Sequence, residues 1–175
     1  MKKKQQVDAI IALITILIGI IVLILPLIKT PNIKWLIIII FSLYAILSII
    51  QFILTKESKD YESISSAISS ILVIITSIFV NPSLSAKNLA LLIMIWTIFM
   101  SLTKLKKADY YHDRRDRMWK YSILNLGLFI LTGILSSINL SYGLESQVVI
   151  LGFFVFVNGI LELFEPIIKT LIAHS

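Results

Sequence analysis

The sequence has no cysteine, which removes disulfide frameworks, thiolate metal sites and cysteine nucleophiles together. Its two histidines, His112 and His174, are too few for a histidine-rich metal site. No G-x-S-x-G, Walker, H-E-x-x-H or G-x-G-x-x-G pattern occurs, so neither an enzyme nor a cofactor site is expected. Charged residues are scarce as well, at 15% against the roughly 25% usual in soluble domains. The net charge of +6 nevertheless does not point to nucleic acid, because the basic residues flank apolar runs instead of forming one face of a soluble fold.

What the chain has in excess is apolar surface. With 58% hydrophobic residues and a mean hydropathy of +0.95, its 175 residues carry more than a soluble domain of that size can bury. A bilayer is the solvent that accepts the surplus. A crossing needs about 20 mostly apolar residues, since lipid offers no hydrogen-bond partner to the backbone and the helix must satisfy its own. Six stretches reach or approach that length, at 7–28, 33–54, 63–80, 89–105, 119–138 and 147–168. The third is rich in serine and in β-branched residues, but a lone strand with unpaired edges cannot lie in lipid, so it too is assigned to a helix. The lysines at positions 2–4 before an apolar run resemble a signal peptide. That run continues to Ile28 without a small-residue cleavage pattern, so a retained first helix is expected.

Pro26 and Pro31 with Lys29 and Lys34, then Asn81-Pro82-Ser83, then Ser136 to Asn139 with Gly143, mark three tight connections. The expected fold is therefore all-α, a single six-helix membrane domain over 1–175. It consists of three hairpins at 7–54, 63–105 and 119–168, with a basic loop at 104–120. Thirteen of the 16 Lys and Arg fall at the termini and in the second and fourth loops, which by the positive-inside rule places both termini on the cytoplasmic side of the membrane. Trp35, Trp119 and Tyr121 near span ends suit the interfacial aromatic belt.

The hairpins also look like copies of one unit. Pro26 and Pro82 are 56 residues apart, the same offset carries Ala45 to Ser101, and 58 more reaches Gly159. The segments 40–46, 96–102 and 154–160 around these small residues are alike, and hairpin units of this kind enter the membrane in parallel. With Gly19 and Pro26 in the first unit, Pro82 in the second, and Gly127, Gly133 and Gly159 in the third, the chain resembles the acid-resistance membrane protein family typified by HdeD. It departs from that pattern in having Ser66, Ser70 and Ser77 where the second unit should carry glycine, and no turn proline in the third. The resemblance implies a bacterial inner-membrane protein linked to survival of acid or envelope stress, and brings no catalytic residues with it. A small proton-coupled transporter or channel component, and a structural or partner-binding membrane subunit, are the other readings.

Three groups of residues stand out. Ser66, Ser70 and Ser77 share a face of the third helix, and Gly152 and Gly159 a face of the sixth. Such small residues allow close helix packing, within one chain or in a homo-oligomer. Asn158, Glu162, Glu165 and Lys169 recur at helical spacing, with Glu162 roughly 22 Å along a helix that starts near Gln147. An ionisable group at that depth must face protein or water, so Glu162, Asn158 and a proposed partner, Lys104, are the candidate proton-responsive or polar packing set. In the basic loop, Lys106, Lys107, Arg114, Arg115, Arg117 and Lys120 are candidate contacts for anionic lipid headgroups. Asp109, His112, Asp113 and Asp116 would share a helical face there, but intrahelical ion pairs account for the pattern better than a metal does.

Overall fold

Six helices account for almost all of the computed structural model, which describes residues 3–28, 32–55, 61–138 and 144–173. They are α1 (Lys3–Ile28), α2 (Ile33–Thr55), α3 (Tyr61–Phe79), α4 (Ala86–Asp113), α5 (Met118–Ile138) and α6 (Leu144–Ala173). All six are long and apolar enough to cross a membrane, so the chain is an all-α, multi-pass membrane protein. Lys2, Lys29, Pro31, Lys56, Lys59, Asn139, Gly143 and His174, which entered the reading of loops, orientation and metal ligands, lie outside the described residues.

One boundary differs from expectation. The fourth span does not stop at Leu105 but continues as helix to Asp113, so the segment 104–120 is mostly helical and the connection shrinks to four residues, Arg114 to Arg117. The charges at 104–107 read as an exit from the membrane. Lys104 and Lys107 instead lie one turn apart, at i and i+3, and turn inward to partners on neighbouring helices, so the helix has no reason to end there. It ends at a Schellman motif, in which Asp116 N–H bonds the Tyr111 carbonyl and Arg115 N–H that of His112, each at 2.9 Å. Arg115 occupies the left-handed position of that motif, with φ of 53°. Asp116 then caps α5 through its carboxylate, which accepts Met118 N–H at 2.9 Å.

At the opposite end, asparagine and serine supply the caps. Asn32 accepts Lys34 N–H at 3.0 Å, Ser85 accepts Lys87 N–H at 3.1 Å, and Ser83 Oγ donates to Asn32 Oδ1 at 3.2 Å, tying the first two hairpin tips together.

The helices form a closed ring in which each touches the next and α6 returns to α1. The closest pairings join different hairpins, α2 with α3, α4 with α5 and α6 with α1, while the two helices within a hairpin pack less closely. Small residues explain the α6–α1 and α4–α5 contacts. A Cβ on Gly152 would stand 2.7 Å from the backbone nitrogen of Leu23, one on Gly159 2.7 Å from that of Ile16, and one on Gly19 2.5 Å from Cα of Phe156. Gly133 makes a similarly close approach to Thr97. Because lipid is as apolar as leucine, this proximity and its van der Waals contacts hold the helices together, with little help from a hydrophobic effect. Gly127, on the same helix as Gly133, has nothing within 4 Å of where its Cβ would stand and faces open space. Ser66, Ser70 and Ser77 are buried on α3 and donate back to carbonyls of their own helix at 2.7 to 3.0 Å, which presents a smooth face to its neighbours.

The exterior is apolar, with Leu13, Leu17, Ile21 and Ile24 of α1 among many exposed aliphatic residues. The interior centres on Trp96, whose indole meets Phe41, Tyr44, Phe129 and Phe154 edge-on at centroid separations of 5.3 to 5.6 Å. The three second helices bury matching registers: Ile37, Ile93 and Leu151; Ile40, Trp96 and Phe154; Tyr44, Met100 and Asn158.

Candidate functional site

One and two turns past that last buried set, the same 56- and 58-residue offsets bring Ser48, Lys104 and Glu162 into line, and then Gln51, Lys107 and Glu165. The aromatic centre thus gives way, toward the end where α1 starts and α6 finishes, to a layer of buried and half-buried polar and charged side chains. Lipid explains why they point inward, since an ionised group left on the outer face would have no partner.

Two linked networks make up the layer. In the first, Tyr44 Oη of α2 donates to Glu162 Oε1 of α6, and Asn158 Nδ2 donates to the same oxygen at 3.0 Å. In the second, the Lys107 ammonium of α4 binds Glu62 Oε2 of α3 at 2.5 Å and also Glu165 Oε2 of α6. Glu165 Oε1 accepts in turn from Lys169 Nζ at 2.7 Å and from Tyr111 Oη at 3.2 Å, while the Lys169 ammonium sits 5.0 Å from the centre of the Tyr111 ring. Two carboxylates and two ammonium groups therefore satisfy one another across α3, α4 and α6, which is what makes buried charge tolerable. Beside them, Gln51 Nε2 donates to Asp8 Oδ1 at 2.7 Å, bridging α2 and α1. Asp8, Tyr44, Gln51, Glu62, Glu162 and Glu165 border a cavity of about 40 Å³, room for a water molecule.

Of the residues singled out from sequence, the structure brings Asn158, Glu162, Lys104 and Lys107 together in this layer. Lys104 is not the direct partner of Glu162: its ammonium lies 3.4 Å from Asn125 Oδ1 and 5.2 Å from the centre of the Phe129 ring. Tyr44, aligned with Asn158 by the repeat, takes that place. Lys107, expected at lipid headgroups, is instead engaged between two carboxylates. The other basic candidates, Lys106, Arg114, Arg115, Arg117 and Lys120, are exposed around the α4–α5 turn, with the Arg114 guanidinium 4.1 Å from the centre of the Tyr110 ring. Gly152 and Gly159 are used in the contact with α1.

Sequence reasoning missed Tyr44, Gln51, Glu62, Asp8 and Tyr111. Carrying the alignment of Ala45, Ser101 and Gly159 two turns further along each helix would have found Gln51 with Lys107 and Glu165. Glu62 and Asp8 come from first helices, where only the packing shows what they face.

Residues 10–80 fit the model of a family described as a short repeat of unknown function (DUF308). The match runs from α1 to the end of α3, one hairpin and the first helix of the next. No curated protein and no solved structure gives a match.

Proposed function

We propose that the protein is a bacterial inner-membrane protein of HdeD-like type that contributes to acid or envelope stress tolerance, with no catalytic step of its own. In this reading both termini face the cytoplasm, so the charged layer lies in the cytoplasmic half of the bilayer. The observation that carries the proposal is Glu162, a carboxylate inside the bundle held by the neutral donors Tyr44 and Asn158. The charged groups around it are Asp8 of α1, Glu62 of α3, Lys104 and Lys107 of α4, and Glu165 of its own helix. Such a group is placed to respond to proton concentration, whereas Glu165 is committed to two lysines. The short-repeat match and the six apolar helices support the family part of the reading.

Deletion of the gene should lower survival after exposure to low pH. The wild-type gene should restore survival, while Glu162→Gln at equal membrane abundance should not. Unchanged survival of the deletion strain would remove the proposal.

A proton-coupled transporter component is the second reading, favoured by the small cavity that the charged side chains border. The aromatic packing around Trp96 separates that cavity from the opposite end, so transport would require the bundle to open there. Proton flux in proteoliposomes, lost in Glu162→Gln, would favour transport.

A further inference from the structure

A second and larger cavity, of about 310 Å³, opens between α4, α5 and α6 on the side of the bundle. Helix pairing creates it, because α5 packs chiefly on α4 and α6 chiefly on α1, leaving the seam between α5 and α6 loose at this level. Leu124, Leu128 and Phe164 are exposed at its mouth, a surface suited to hydrocarbon. At its inner wall lies Lys104, only 7% exposed, with one acceptor among the described residues, the Asn125 carbonyl oxygen at 3.4 Å. The Asn125 amide is itself held in place by donating to the Leu161 carbonyl at 2.6 Å.

The carboxylates around Lys104 are each in contact with other groups, and none touches its ammonium, on which Glu162 acts only through space. Glu62 and Glu165, which share the cavity wall, are both bound by Lys107, and Glu165 by Lys169 as well. Glu162, on the other side of Lys104, is held by Tyr44 and Asn158 and forms no ion pair with it within 4 Å. A buried ammonium without a contacting carboxylate, at the back of a cavity whose entrance is aliphatic and aromatic, has the chemistry of an anion anchor behind a chain-binding slot.

We propose that this cavity binds an amphiphile with an anionic head on a hydrocarbon chain, the head meeting Lys104 and Asn125 and the chain lying along Leu124, Leu128 and Phe164. A fatty acid and an anionic phospholipid share that chemistry. The volume is at the low end of small-molecule pockets, roughly 300 Å³ upward, and suits one chain.

The test uses the full chain in phosphatidylcholine nanodiscs, with equilibrium binding of laurate, of lauryl alcohol and of phosphatidylglycerol. Laurate or phosphatidylglycerol should bind about tenfold or more tightly than lauryl alcohol, the loss expected when a charge-assisted hydrogen bond is absent. Binding of laurate alone assigns the site to fatty acids, and binding of phosphatidylglycerol to phospholipid. Lys104→Met should weaken anionic binding by about tenfold or more. Ser122→Phe, which keeps Lys104 and fills the slot from α5, should abolish it. Equal affinity for lauryl alcohol and laurate, or wild-type binding by both variants, would overturn the proposal. None of these outcomes bears on acid survival, so the site and the proposed function stand or fall separately.

Discussion

Glu165 shows how one residue can hold several elements together inside a bilayer. It accepts from Lys107, Lys169 and Tyr111, and Lys107 also reaches Glu62, so neutralising either member of the central pair leaves buried charge without a partner. Glu165→Gln and Lys107→Met should each destabilise the protein by about 3 kcal/mol. The double variant should lose less than the sum, because the Lys107–Glu165 contact is lost only once and removing one charge of each sign restores the balance of the cluster, even though Glu62 and Lys169 each lose a partner. Denaturant titration of the four proteins in detergent measures the coupling, and strict additivity would show that the two side chains do not act as a pair. Arg115 presents the opposite case, a residue whose backbone is unfavourable for its type. Its φ of 53° is easy for glycine and costs other residues about 1 kcal/mol. Arg115→Gly should therefore raise stability by about that amount, and an unchanged or lower melting temperature would mean that the arginine side chain contributes more than its backbone costs.

Among the helices, glycine position matters more than glycine content. Gly159 faces the backbone of α1 and Gly127 faces open space, although both sit in apolar helices of the third hairpin. Gly159→Ala should push α6 away from α1, since the nearest atom in the way is the Ile16 backbone nitrogen, which cannot rotate aside. Gly127→Ala should be neutral or stabilising by up to about 1 kcal/mol through helix propensity alone. Comparing their unfolding midpoints checks the contrast, and similar behaviour of the two variants would contradict the close α1–α6 packing. The length of α4 is an element-scale lesson of the same kind. Its continuation to Asp113 depends on Lys104, Lys107 and Tyr111 facing protein, which composition could not reveal.

For the molecule as a whole, the ring of helices divides into an aromatic half around Trp96 and a charged half around Lys107 and Glu162. Which half faces the cytoplasm follows from the basic residues under the proposed orientation. Because the chain has no cysteine, single substitutions report on it without background. Arg117→Cys should be modified by a membrane-impermeant maleimide only in inverted vesicles, and Ser83→Cys only in intact cells with a permeabilised outer layer. The reverse pattern would place the charged half on the outside.

Hydropathy and backbone hydrogen bonding determined the number of helices, their approximate limits and the membrane as solvent, because in lipid a span must be both apolar and self-satisfied along its own length. The spacing of Ala45, Ser101 and Gly159 already contained the register that aligns Gln51, Lys107 and Glu165. Only the tertiary structure decided that Tyr44 holds Glu162, that Lys107 lies between Glu62 and Glu165, and that Lys104 faces a cavity. These depend on which helix lies beside which, and in a ring paired most closely between hairpins, the partners of a buried charge are set by packing across the bundle.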